Sequence, residues 1–104
     1  MNPRHISFES IPWESSAPGQ RAKTFVHGSR QVRLVEFTRE FVEADWCTRG
    51  HIGYIIEGSL EIRFDDQTVV YQAGDAFMIA AGDSDRHKAR SLGDRVRFLL
   101  VEDL

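Results

Sequence analysis

The sequence predicts an all-β sandwich or barrel. Apolar and polar residues alternate at a period of two in several short runs, and turn residues recur at roughly 8–12-residue intervals. The chain of 104 residues is the length of one domain, and its 41% hydrophobic and 28% charged residues are those of a globular protein.

Taken in order, residues 1–21 contain Pro3, Pro12 and Pro18 with Ser15, Ser16 and Gly19 close by, which is loop chemistry with room for one short strand around "HISFES". We read residues 1–21 as an N-terminal arm anchored by Trp13, and residues 22–104 as the folded body. "AKTFVHGSRQVRLVEF" reads as a hairpin turning at His27-Gly28-Ser29-Arg30. In its second half Val32 and Leu34 alternate with Gln31 and Arg33. "VEFTREFVEADW" is the one helical candidate; its periodicity is mixed and we read it as strand. "SLEIRF" puts Leu60, Ile62 and Phe64 on one face and Ser59, Glu61 and Arg63 on the other. Turns at Asp65-Asp66, Ala73-Gly74-Asp75, Gly82-Asp83-Ser84 and Leu92-Gly93-Asp94 then separate "TVVYQ", "AFMIA", "HKARS" and "VRFLLVE". In "HKARS", His87, Ala89 and Ser91 share the inward face, with Lys88 and Arg90 outward.

Cys47 is the sole cysteine, so no internal disulfide is expected, and a free thiol suits a reducing compartment. The N-terminus has no apolar signal-like core, and no run approaches the ~18 apolar residues of a membrane span. We therefore expect a cytoplasmic protein with no membrane partner. A net charge of −3 argues against a nucleic-acid surface.

The stretch "DWCTRGH" offers three metal-binding side chains: Asp45, Cys47 and His51. Donors on one ion lie within about 4 Å of each other. Residues two apart on a strand share a face, so Asp45 and Cys47 can converge. Cys47 and His51 are about 13 Å apart along a straight strand, so both bind one ion only if the chain reverses at Thr48–Gly50, with Gly50 supplying the freedom. A further donor must come from far along the chain, and Asp85-Arg86-His87 is the source.

These residues resemble the cupin superfamily, small β-barrels with two signature motifs. "HIGYIIEGSLEIRF" followed by "YQAGDAFMIAAGDSDRH" carries the resemblance over roughly residues 22–102. Anchored on Gly58, the glutamate of the first motif falls on His51 and its two histidines fall on Asp45 and Cys47. Gly74-Asp75 and Gly82 match the second motif, with Ala80 in place of its proline. The histidine of the second motif falls on Asp85 by rigid count and on His87 if the preceding loop is two residues longer. We favour His87, because a loop absorbs an insertion more easily than a strand absorbs a register change.

The resemblance implies an antiparallel double-stranded β-helix, or jelly-roll barrel, over residues 22–104. It implies a divalent-metal site at Cys47, His51 and His87, with Asp45 as a fourth ligand that would close it. Arg49, Tyr54 and Asp85 are candidates for the pocket around it. Thiolate with imidazole favours zinc, iron or nickel over magnesium or calcium. The expected function is a metal-dependent enzyme acting on a small molecule. The alternatives are a non-catalytic ligand- or metal-binding barrel, and a barrel whose site has degenerated with Cys47 packed as a small apolar residue. Small cupins are commonly homodimers, and the arm suits exchange between subunits.

Overall fold

A computed structural model describes residues 1–104. A short 3-10 turn at Phe8–Ser10 precedes nine strands: β1 Glu14–Ala17, β2 Gln20–His27, β3 Arg30–Thr38, β4 His51–Glu57, β5 Ser59–Phe64, β6 Thr68–Gln72, β7 Ala76–Ile79, β8 His87–Ser91 and β9 Arg95–Asp103. They form two antiparallel sheets. The larger has the order β1-β2-β3-β9-β4-β7 and the smaller β6-β5-β8. No helix is long and apolar enough to cross a membrane.

The period-two pattern does the folding work. Val35 and Phe37 of β3, Ile55 of β4, Phe77 and Ile79 of β7, and Val96, Phe98 and Leu100 of β9 face inward from the large sheet. Leu60 and Ile62 of β5 meet them from the small sheet. Ile55, Leu60 and Val96 are fully buried, and truncating such a side chain to alanine costs about 2–5 kcal/mol. Gly53 also faces inward, and a Cβ there would run into the Phe77 ring. The missing side chain is what lets that ring lie across β4.

The β2–β3 hairpin turns where expected, with His27 opposite Arg30. Two expectations fail. "HISFES" holds a 3-10 turn in place of a strand. Residues 39–50 form no strand; β3 ends at Thr38, and the one ladder contact of the stretch is an isolated bridge from Cys47 to His87. The mixed periodicity of "TREFVEADW" reflects a loop whose apolar residues point different ways: Phe41 packs on the core, and Val42 is exposed.

The arm is fastened to its own chain. β1 pairs with β2, and Lys23 Nζ donates to the Phe8 carbonyl at 2.8 Å. Trp13 stacks against Arg21, Lys23 and Arg97, whose charges lie 4.2, 5.0 and 5.5 Å from its ring centre.

Candidate metal centre

Three strand ends and one bridge meet at one end of the barrel. His51 opens β4, His87 opens β8, and Glu102 stands near the close of β9, opposite Gln31 of β3. Cys47 is held by two backbone bonds: its N–H donates to the His87 carbonyl at 2.8 Å, and the His87 N–H donates to the Cys47 carbonyl at 3.0 Å. Cys47 thus sits on the edge of the small sheet. Four residues later His51 lies in the large sheet. Between them the chain crosses from one sheet to the other, which is how two donors only four positions apart come to face each other.

Gly50 is needed for a different reason from the one expected. It does not adopt a positive φ. A Cβ there would lie 3.0 Å from the Ala81 nitrogen and 3.1 Å from the Ile79 carbonyl oxygen, so the glycine lets the crossing press against the end of β7.

One ligand atom from each of Cys47, His51 and His87 lies within 4.8 Å of the others. Cys47 Sγ is 3.5 Å from His51 Nε2, inside the roughly 4 Å between two donors on one ion. The outer nitrogens are already occupied. His51 Nδ1 lies 2.6 Å from Glu102 Oε2, a close ion-pair contact that approaches too obliquely to be an aligned hydrogen bond. His87 Nδ1 bonds the Asp85 carbonyl at 3.0 Å. Both contacts favour the tautomer that leaves Nε2 free, the arrangement that metal-ligating histidines use. Glu102 is in turn held by Arg33 through Nε at 2.6 Å and Nη2 at 3.0 Å, and by Gln31 Nε2 at 2.9 Å.

The electrostatics follow from these contacts. Hydrogen bonds from His51 and then His87 outweigh the cost of burial and lower the Cys47 thiol to about 5, so the sulfur is a thiolate at neutral pH. Burial alone would lower His51, but its contacts with Cys47 and Glu102 win and raise it to about 9. Burial would likewise raise Glu102, yet His51 and Arg33 hold it down at about 2. His87 is raised: its contacts with Cys47 and the Asp85 carbonyl outweigh burial.

The cluster opens onto a cavity of about 220 Å³ between the sheets, walled by apolar residues including Val35, Leu60, Phe77 and Phe98. Glu43 also lines it. Its carboxylate accepts from the Ala89 N–H at 3.2 Å, and burial raises its pKa against that bond.

The other predicted site residues fall outside the cluster. Asp45 is exposed and is not one of the converging donors. The shared-face argument for it needed a strand through 45–47, and there is none. Tyr54 is 49% exposed and lies on the outer face of β4, because the parity that turns His51, Gly53 and Ile55 inward turns Tyr54 out. Arg49 is an exposed neighbour, its guanidinium 4.0 Å from Glu102. Asp85 contributes its backbone carbonyl to His87, as described. Glu102, Arg33 and Glu43 were not anticipated. Alternation in "VRFLLVED" does put Glu102 on the face of Val96, Phe98 and Leu100, a legible signal.

A jelly-roll barrel with an imidazole and thiol cluster at one mouth has the architecture of a cupin. Residues 47–102 match the family described as "Cupin domain", and the chain belongs to that family. Solved structures share the fold. KdgF from Halomonas sp. superposes with a TM-score of 0.75 at 24% identity, over 92% of this chain and 91% of that one. A protein of unknown function from Rhizobium leguminosarum bv. viciae gives 0.79 at 15% identity, over 99% and 98%. A sugar phosphate isomerase of the cupin superfamily from Silicibacter pomeroyi gives 0.75 at 18% identity, over 96% and 75%. At these identities the likeness is one of fold. No curated protein sequence matches the chain.

Proposed function

We propose that this cupin binds one divalent transition metal through Cys47, His51 and His87 and uses it on a small molecule in the adjoining cavity. The observation that carries the proposal is the orientation of the two imidazoles: each has its Nδ1 engaged, His51 Nε2 faces the Cys47 sulfur at 3.5 Å, and a ligand atom of each of the three residues lies within 4.8 Å of the others. One thiolate and two imidazoles suit zinc, iron or nickel. A bound metal would supply Lewis acidity to a ligand oxygen. Three protein donors leave a position open, which suits catalysis better than a purely structural ion. The chain's own groups do the rest. Glu102, gripped by Arg33 and Gln31, orients His51. The apolar walls exclude water. Glu43 is a cavity carboxylate placed to exchange a proton with a ligand.

The test is elemental analysis of protein supplied with zinc, iron or nickel. We expect near-stoichiometric metal in the native chain and its loss in Cys47→Ser, His51→Ala and His87→Ala. A metal content unchanged in all three variants would refute the site.

One observation favours a second reading without metal. Cys47, His51 and Glu102 stand in line as nucleophile, base and orienting carboxylate do in thiol enzymes. Alkylation by iodoacetamide separates the two. A thiolate nucleophile reacts quickly whether or not zinc is present, and a ligand is protected by zinc.

We further propose a second copy of this chain as partner. Ile52, Tyr54, Ile56 and Met78 are exposed by 46%, 49%, 48% and 80%, and those of β4 and β7 share the outer face of the large sheet. Such a strip finds its apolar match in the same strip of another copy. Light scattering should give a dimer that Ile52→Glu/Met78→Glu splits; a native monomer would end the idea.

A further inference from the structure

Arg63 of β5 and Lys88 of β8 stand directly opposite each other in the antiparallel register. Like charges so placed destabilise a sheet. The neighbouring same-face pair shows the usual solution: Glu61 faces Arg90 and accepts two bonds from it, at 2.9 and 3.2 Å. Arg63 has no carboxylate partner, and Lys88 Nζ donates only to the Ala44 carbonyl, at 3.1 Å.

Trp46 lies against both cations. Its ring centre is 5.7 Å from the Arg63 guanidinium, 5.1 Å from Lys88 Nζ and 4.8 Å from Arg86. Beside them is a groove of about 380 Å³ lined by Arg39, Arg63, Lys88 and Arg90, with Glu43 as its one acid. Arg39 and Arg90 are paired with Asp94 and Glu61, so the uncompensated positive charge of the groove is that of Arg63 and Lys88, in a chain whose net charge is −3. Phe41, Glu43 and Ala89 line both the groove and the metal-side cavity, so the two share a wall.

We propose that the groove binds the anionic group, a carboxylate or phosphate, of a small molecule, seated between Arg63 and Lys88. An oxyanion there turns a repulsive pair into two charge-assisted contacts, and the guanidinium offers a planar fork to its oxygens. The shared wall sets the remainder of such a ligand beside Glu43 and the cavity. None of the groove cations is a metal donor, so the inference does not rest on the metal reading.

The test uses Trp46 as reporter. Trp13→Phe leaves it the sole indole of the full-length chain. Its fluorescence is titrated at constant ionic strength with inorganic phosphate and with malonate, with and without zinc. We expect a saturable response to at least one of them, and the one that responds assigns the group. In Arg63→Gln/Lys88→Gln the affinity should fall about tenfold or more. That double variant should melt no lower than its parent, because the like-charge conflict is gone. A lower melting temperature would show that the pair stabilises the sheet as it stands, and would overturn the argument. So would the absence of a saturable response, or an equal response in the double variant. Binding of a single-stranded oligonucleotide with no response to either small anion would make the groove a nucleic-acid contact and overturn the proposal as well.

Discussion

Glu36 and Glu102 are both buried carboxylates of the large sheet, 5% and 2% exposed, but they face opposite sides of it. Glu36 points outward. Arg21 Nε at 2.9 Å and Arg97 Nη2 at 2.6 Å satisfy it, and Trp13 caps those arginines. Its cations serve it alone. Glu102 points inward, and one of its partners is a histidine whose far nitrogen meets a sulfur. The two carboxylates carry the same charge in the same sheet. They differ in where the partner's second face looks. At Glu36 the network ends in a packed aromatic ring and fastens the arm. At Glu102 it continues into the cavity and orients a donor.

The sharpest way to break that contrast is to remove each carboxylate. Glu102→Ala leaves Arg33, 24% exposed at its side chain, without its carboxylate, and leaves His51, 10% exposed at its side chain, with Cys47 as its one remaining anionic contact. Loss of one partner of such a buried pair costs about 3–5 kcal/mol. Glu36→Ala should cost less, about 1–3 kcal/mol, because Arg21 and Arg97 are 42% and 29% exposed and can turn to water. Urea denaturation of the metal-free chains checks both. Equal losses would mean that the two networks are equivalent.

The contrast sharpens with metal. Glu102→Gln keeps the shape and removes the charge that orients His51, so zinc affinity should fall about 10–100-fold. Glu36→Gln should leave zinc affinity unchanged. Competition with a chromogenic chelator measures both.

A smaller effect concerns pH. Hydrogen bonds from Arg21 and Arg97 hold Glu36 below its ordinary 4.5 despite burial, and Glu102 is held at about 2. A depressed carboxylate stabilises the fold fully above its unfolded pKa and loses that contribution as pH falls through its folded value. Metal-free protein should therefore lose melting temperature below about pH 4.5, and Glu36→Gln should flatten part of that slope. His51 behaves in the opposite sense toward metal. Held protonated to about 9, it must give up that proton to coordinate, so zinc should bind more tightly as pH rises toward 9.

How much of this was legible depended on whether a residue sat in a strand. Alternation located β5 and β8 and turned His87 inward, and a turn at Leu92-Gly93-Asp94 set β9 apart. Alternation carried Glu102 too, since the pattern through Val96, Phe98 and Leu100 ends on it. The same parity contradicts Tyr54 as a pocket residue once His51 is taken as inward. Asp45 and Glu43 lie in the irregular 39–50 stretch, where no period applies. Glu43 faces the cavity because its carboxylate meets the free edge of β8 at Ala89, a contact between residues 46 apart in sequence. No local pattern encodes it. The crossing at Gly50 was readable as a need for close convergence, but the reason for the glycine, the backbone of β7 behind it, was not.

X-ray absorption on the zinc-loaded chain tests the central claim most directly. One sulfur at about 2.3 Å and two imidazole nitrogens at about 2.0–2.1 Å are predicted, with the sulfur lost in Cys47→Ser. A zinc spectrum without sulfur, or one that Cys47→Ser leaves unaltered, would contradict it.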